Sequence, residues 1–512
     1  MMMKFDCPVS AILAAAWLLA GCGTGGGPAS GILQAGAAAV VITPVVEPFD
    51  DLDGNGHWDE GESFSDLDEN GSFSPVWIAG FGSERAALGV HDDLYARALI
   101  LVQGDVRIGI VTLDWVGLMR DQALEIGRDA REAGVILDRL IVTCTHNHEG
   151  PDSIGLWGPL GECGRDDDYM DWARAQTVVA LSEAQERLTP VRMIAGDGKT
   201  ENLTRDSRLP IVLHEDVVAL RFDRIDGSGT VAVVTHWSNH VEALGGDNQQ
   251  LSADFPAWLV SALEDAYPGA VGIYWQGMVG GLMTPLEVEV RDEGGNVLPE
   301  DSFAKTERMG RLVADVALSA LEHGEDAGEG GKLAYHSASF FAPLENLELK
   351  LAGLEGLFDR KIYDDQGRER LPAEIMTFDA YLETEATVID VGLVQIVTVP
   401  GELYPELALD GSNGESFYQY PQDPGADFYP CACSQPIYHN MRKTPYRVVL
   451  GLANDELGYI IPRCQFDGQA PYAYGRDDAQ YGEGFSIGPE LAPLLNATLA
   501  SELQTLAAQQ AP

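Results

Sequence analysis

Apolar runs alternate with stretches of helical period along most of the 512 residues. "AAAVVITP" (37–44) is an unbroken, β-branched run and predicts a strand. In "ARALILVQGDVRIGIVTLD" (96–114), Gly104-Asp105 separates two such runs, which predicts a hairpin. "RDQALEIGRDAREAG" (120–134) has helical spacing, and "DRLIVTCTH" (138–146) returns to a strand. "DYMDWARAQTVVALSEAQERL" (168–188) predicts a helix, and "VVALRFDRIDGSGTVAVVTHWSNH" (217–240) a second hairpin. "ADFPAWLVSALEDAY" (253–267) and "AVGIYWQG" (270–277) read as helix and strand. Beyond the acidic, glycine-rich "EHGEDAGEGG" (322–331) the pattern is β-rich, and "ATVIDVGLVQIVTVPGEL" (386–403) is a hairpin entering a turn. The alternation predicts an α/β fold of mixed β-sheets with flanking helices. No glycine-rich nucleotide fingerprint follows a strand, and no long repeat is visible.

The net charge of −48 changes the picture of partners. A surface this acidic repels nucleic acid and gains nothing from anionic headgroups; it reads as solvated. "AILAAAWLLAGC" (11–22) is apolar but too short to span a membrane as a mature helix. Its "LAGC" resembles a bacterial lipobox. Residues 1–21 then read as a lipoprotein signal peptide, with a lipid anchor at Cys22 and a flexible tether over 22–36. An ordinary cleaved signal is the alternative, and both imply export. Cys144, Cys163, Cys431, Cys433 and Cys464 remain in the exported part, an odd number that leaves at least one unpaired. Cys431 or Cys433 bridging to Cys464 is the expected pairing, with a CxC metal site as the rival.

Residues 50–75, "DDLDGNGHWDEGESFSDLDENGSFSP", interrupt the pattern. The first half matches an EF-hand loop, with Asp51, Asp53, Asn55, the His57 carbonyl and Glu62 at ligand places and Gly56 at the sharp turn. Asp66, Asp68 and Asn70 repeat the start, but Trp77 stands where a closing acid belongs. One or two structural Ca²⁺ ions are expected, a second one borrowing Asp59 or Glu62. No helical pattern flanks the loop, so it is EF-like only.

Ten histidines are few for this length, and two of them end the strand-like run in "IVTCTHNHEGPD". In an extended stretch His146 and His148 would point the same way. Alone, H-x-H is as consistent with two ordinary histidines. "VVTHWSNHVEAL" ends a second apolar strand with His236 and His240, and strand ends at one sheet edge are where α/β sites gather.

In order and spacing these segments resemble the neutral ceramidase family, zinc-dependent amidases of N-acylsphingosine. "WIAGFGS…LGVHDDLYARALIL", "THNHEGP", "NLTRDSR", "SNHVEAL…LSADFPAWL", "VPGEL" and "LANDELGYIIP" carry the resemblance, which covers 37–512. It implies one ceramidase-like catalytic domain over 37–512, with 50–75 as an insertion and 332–512 as its β-rich C-terminal part. It implies one catalytic Zn²⁺ held by His146, His240, Glu402 and Tyr459, with metal-bound water as nucleophile. Tyr459 is either a ligand or an oxyanion donor. His148 would be an acid/base or oxyanion donor, and Arg205 would hold substrate oxygen or orient a catalytic group. Glu149 reads as a solvated carboxylate rather than a base, and His236 as a satisfied structural histidine.

Two departures stand out. Where the family has a Gly-Asp-Val-Ser-Pro-like stretch, this chain reads "GGLMTP" (280–285), so Thr284 takes the serine's place and Leu282 the acid's. The family's C-terminal immunoglobulin-like domain has no counterpart after "FSIGPELAPLL". The expected function is an exported zinc-dependent hydrolase of an amide bond, with a ceramide-like N-acyl lipid as first substrate. Other N-acyl compounds or esters come next, and a non-catalytic, surface-anchored binding protein is the alternative from another class.

Overall fold

The hairpins predicted over 96–114 and 217–240 enter one sheet. In the computed structural model, which describes residues 31–54, 58–67, 69–328, 332–357, 360–409, 423–430 and 435–510, that sheet has nine strands. Its main strands are β1 (Gln34–Val41), β2 (Tyr95–Gln103), β3 (Val106–Leu113), β4 (Arg139–Cys144), β5 (Thr189–Lys199), β6 (Asp216–Arg224), β7 (Thr230–Trp237) and β8 (Val271–Gln276). The order is β8-β7-β6-β5-β1-β2-β3-β4, with the short Glu325–Asp326 strand beside β5. The edge pairs β3–β4 and β7–β8 are parallel and the interior pairs antiparallel, which makes the sheet mixed.

A six-stranded sheet is built around β9 (Leu333–Pro343), β10 (Tyr381–Val391), β11 (Val394–Thr398) and β12 (Arg447–Leu450). The hairpin predicted over 386–403 is β10–β11, and β12 lies parallel to β11. Apolar residues of the two sheets share one core: Ile110, Val234 and Trp275 of the first meet Ile389, Ile396 and Val448 of the second. Helices close the outer faces. On the first sheet these are α1 (Arg120–Glu132) and α2 (Asp167–Glu186) on one half, α3 (Phe255–Ala266) and α4 (Phe303–Glu322) on the other. On the second sheet α5 (Leu491–Gln509) seals the core with Leu495, Leu499 and Leu503. The result is a four-layer α/β/β/α stack, with the apolar stripe of each helix and both faces of each sheet buried.

The acidic insertion makes its own small cluster. Phe49, Trp58, Phe64 and Phe73 pack with ring centroids 5.2–5.8 Å apart. Among the described residues no helix is long and apolar enough to cross a membrane. The presumed leader, Cys22, most of the tether, Asn55–His57, Asp68, Cys431 and Cys433 lie outside the described residues. Cys464 is disulfide-bonded, whereas Cys144 and Cys163 are free.

Candidate metal centre

Strand ends build the site. β4 stops at Cys144, and the chain turns through a left-handed His146, φ 65°. The expectation that both histidines ride one extended stretch is therefore corrected: they converge because of this kink, a conformation that costs a non-glycine residue free energy and gathers at functional sites. The segment after β7 lies alongside it. Asn147 and Val241 form a parallel bridge, and the His148 N–H donates to the Val241 carbonyl at 2.9 Å. That contact brings His240 in. Two very short strands supply the remaining groups: β13 (Glu402–Leu403), after β11, runs parallel to β14 (Tyr459–Ile460), after β12, with Glu402 directly opposite Tyr459.

His146, His148 and His240 are all buried, and their ligating nitrogens lie within 4.8 Å of one another. His146 Nδ1 is 2.8 Å from the Val116 carbonyl and His240 Nδ1 2.9 Å from the Met283 carbonyl. A carbonyl only accepts, so each Nδ1 carries the proton and each Nε2 presents its lone pair. Glu402 Oε2 sits 3.4 Å from His146 Nε2 and 3.1 Å from His240 Nε2. It is buried, yet no regular hydrogen bond reaches it. An orphaned carboxylate oxygen facing two imidazole lone pairs fits a divalent cation, and two imidazoles with a carboxylate are a donor set that suits zinc.

The electrostatics agree. Burial pulls the His240 pKa down, but Glu242 and Glu402 outweigh it and raise it to about 9, so the pocket favours positive charge there. Burial would raise Glu402, but His146 and His240 hold it well below the usual carboxylate range. Glu242 falls to about 2, its burial overcome mainly by His240 and His148. Burial lowers His148 to about 4, leaving it neutral.

His148 differs in its second nitrogen, which faces a carboxylate and not a backbone carbonyl. Its Nε2 is 3.3 Å from His146 Nε2, and its Nδ1 is 3.2 Å from Glu242 Oε2, close but out of line for a regular hydrogen bond. Gly80, φ 98°, packs under this ring: a Cβ there would lie 2.3 Å from His148 Cγ, so only glycine leaves room. The cluster opens into a cavity of about 500 Å³ whose walls include Val116, Ile154, Trp157, Leu344, Leu382 and Phe485. Its polar lining includes His146, His148, Glu402, Glu456, Tyr459 and Tyr481. Burial, with Glu402 nearby, raises the Tyr459 pKa well above its usual value and keeps the phenol protonated.

Other sequence candidates fall elsewhere. The Arg205 guanidinium donates to the Leu286 carbonyl at 2.6 Å and pairs with Glu287 at 3.1 Å, outside the cavity lining. Its neighbour Arg208 is buried and pairs with both Glu483 oxygens. Glu149 is not solvated as expected: it is buried, 3.2 Å from Arg85 and 2.7 Å from Asn248, because its loop folds inward. His236 is a core histidine whose Nε2 donates to the Val449 carbonyl at 2.9 Å, and burial lowers its pKa to about 3. In the insertion, Asp51, Asp53 and Glu62 bring carboxylate oxygens within 4.8 Å of one another. Asp66 instead accepts from the Asn70 and Gly71 amides. Sequence reasoning passed over Glu242, although the spacing His240-x-Glu242 echoes His146-x-His148.

No protein-family model matches the chain, and no curated protein matches it in sequence. Solved structures do. The chain superposes on neutral ceramidase from Pseudomonas aeruginosa with a TM-score of 0.62 at 15% identity, covering 94% of this chain and 75% of that one. A ceramidase complexed with C2 gives a TM-score of 0.62 at 15% identity, covering 94% of this chain and 76% of that one. With two sheets, helical outer layers and a buried histidine cluster at the strand ends, the chain has the neutral ceramidase fold.

Proposed function

We propose that the protein is a zinc-dependent hydrolase of amide bonds in N-acyl lipids. The observation that carries this reading is the convergence of the His146 and His240 Nε2 atoms with an unpartnered Glu402 oxygen on the wall of an apolar cavity. His146, His240 and Glu402 hold the ion, with Tyr459 beside it. When bound, zinc supplies the Lewis acidity that makes water a nucleophile near neutral pH. The apolar walls take the acyl chain and exclude bulk water, which strengthens every polar contact at the carbonyl. The protonated Tyr459 phenol faces the reacting carbonyl and donates to its oxygen as charge develops, and neutral His148 stands beside it as the acid/base. A ceramide-like lipid is the first candidate, because an acyl chain suits these walls; other N-acyl compounds and esters follow.

Two peripheral features belong to the same proposal. Asp51, Asp53 and Glu62 hold a structural Ca²⁺ in the insertion, as oxygen ligands suit a hard cation. The N-terminal leader exports the chain and anchors it through Cys22.

A chelator-controlled screen of N-acyl lipids and N-acyl amino acids tests the reading. Turnover should vanish with chelator and return with Zn²⁺. Purified protein without zinc, and a His146→Ala/His240→Ala double variant equal to the parent, would overturn it and favour a binding protein on the same scaffold.

A further inference from the structure

The resemblance leads one to expect an acid two residues before the residue at 284, yet Leu282 packs on the apolar core of the second sheet. An acid nevertheless meets Thr284, and it comes from the other side of the site. Thr284 Oγ1 makes a short hydrogen bond to Glu242 Oε1. The same hydroxyl oxygen accepts the Leu286 N–H at 3.1 Å. Its one hydrogen is thus committed to Glu242. Thr284 serves as a lock on the carboxylate.

The lock has a direction. With Oε1 tied to Thr284, Glu242 Oε2 lies 3.2 Å from His148 Nδ1. Backbone contacts hold the two histidine segments and the turn at 283 together: His148 N–H to the Val241 carbonyl at 2.9 Å, and His240 N–H to the Met283 carbonyl at 2.8 Å. Glu242 and Thr284 are both buried. His146 and His240 have backbone carbonyls at Nδ1; among the described residues His148 has this carboxylate.

We infer that Glu242, locked by Thr284, is the positioning residue that keeps the proton of His148 on Nδ1 and leaves its Nε2 free to take up a proton at the reacting centre. The inference rests on the proposed hydrolase reading for its kinetic part only. The chain keeps an acid–hydroxyl pair but takes the acid from the His240 segment. A carboxylate behind a histidine sets which nitrogen carries the proton, and outer partners of this kind typically carry about 10–100-fold in activity or affinity.

The test is Glu242→Gln, which preserves shape but lets an amide N–H face Nδ1, with Thr284→Val as a second variant. In ¹⁵N-histidine spectra of the zinc-loaded protein, His148 should be protonated at Nδ1 in the parent and at Nε2 in Glu242→Gln. kcat should fall by about 10–100-fold with KM nearly unchanged, and zinc affinity should hold. Thr284→Val should give a smaller loss in the same direction. In a His148→Ala background Glu242→Gln should cost nothing further, which a merely structural role would not predict. An unchanged His148 tautomer in Glu242→Gln, or an equal loss in both backgrounds, would overturn the inference. If the parent turns over no N-acyl substrate, the hydrolase reading fails while the spectra still decide the role of Glu242.

Discussion

Glu402 and Tyr459 stand opposite each other on a two-residue parallel ladder, one from the turn after β11 and one from the turn after β12. The carboxylate faces His146 and His240, and the phenol lines the cavity beside it. Adjacent places on one ladder therefore supply two different chemistries. Glu402→Gln should abolish zinc binding together with activity, because an anionic ligand is gone. Tyr459→Phe should keep most of the zinc and lower kcat by roughly 10²-fold, the usual loss for one oxyanion donor. Metal content and steady-state kinetics on the same preparations separate the two, and zinc lost equally from both would make Tyr459 a ligand.

Arg208 and Arg205 sit three residues apart but differ in surroundings. Arg208 is buried against both oxygens of Glu483 and over the Tyr404 ring, its centroid distance 5.4 Å. Arg205 is about one-third exposed and paired with an exposed Glu287. Removing one partner of a buried pair strands the other charge, so Arg208→Ala should destabilise by about 3–5 kcal/mol. Arg205→Ala should cost under about 1 kcal/mol. Denaturant melts of the two variants check the difference.

The strand-lip histidines were legible because each apolar run visibly ends in one. Glu402 and Tyr459 were reachable only through the resemblance, since two-residue strands carry no periodic signal. The kink at His146 was invisible, because a left-handed φ at histidine follows from tertiary contacts and not from local preference. Glu242 went unread because a carboxylate two places past a histidine has no signature until the turn at 283–284 closes over it. Helices α4 and α5 were also absent from the expectation. The sequence around α5 is rich in Ala and Leu, and its burial against the second sheet depends on contacts far away in the chain.

Calcium should stabilise the insertion. The Asp51, Asp53 and Glu62 oxygens already lie together, and the Glu62 carboxylate is held by the Leu52 and Asp59 amides at 2.7 and 3.0 Å. An ion bound only by the folded state adds about 2.7 kcal/mol at a hundredfold excess over Kd. Tm should rise in millimolar Ca²⁺ and lose that response in Glu62→Gln. A melting temperature indifferent to Ca²⁺ would count against the site.

Stability should fall towards alkaline pH because of Glu406. Burial, reinforced by Asp206, raises its pKa to about 8, and its Oε2 has no partner among the described residues. The folded state then holds a proton that the unfolded chain, titrating near 4, has released. Unfolding free energy declines as pH rises wherever the folded state binds more protons. The contribution is whole below about pH 4, drains at up to roughly 1.4 kcal/mol per pH unit, and is gone once pH passes the folded value. Glu406→Gln should flatten the parent's slope between pH 6 and pH 8 (about two units) when both are melted in parallel. Equal slopes would mean that Glu406 ionises normally in the folded protein.

His146 and His148 should part company on mutation. Glu402 Oε2 lies against His146 and His240, so these two imidazoles and one carboxylate already make a three-ligand catalytic set with a position open for water. His148 brings its Nε2 to 3.3 Å from His146 Nε2 but turns its Nδ1 to Glu242, with Phe81 edge-on to its ring at 5.3 Å. A further imidazole on the ion would occupy the place that the chemistry needs. His146→Ala should therefore lose zinc and activity together. His148→Ala should retain most of the zinc and lose mainly kcat, by about 10²–10⁴-fold, because a contact made in the transition state is gone. Zinc titrations with a competing chelator, run beside kinetics, read the two effects apart. If both variants bind zinc like the parent, neither histidine is a ligand; if both lose it equally, His148 completes a three-histidine site and the split of roles is wrong.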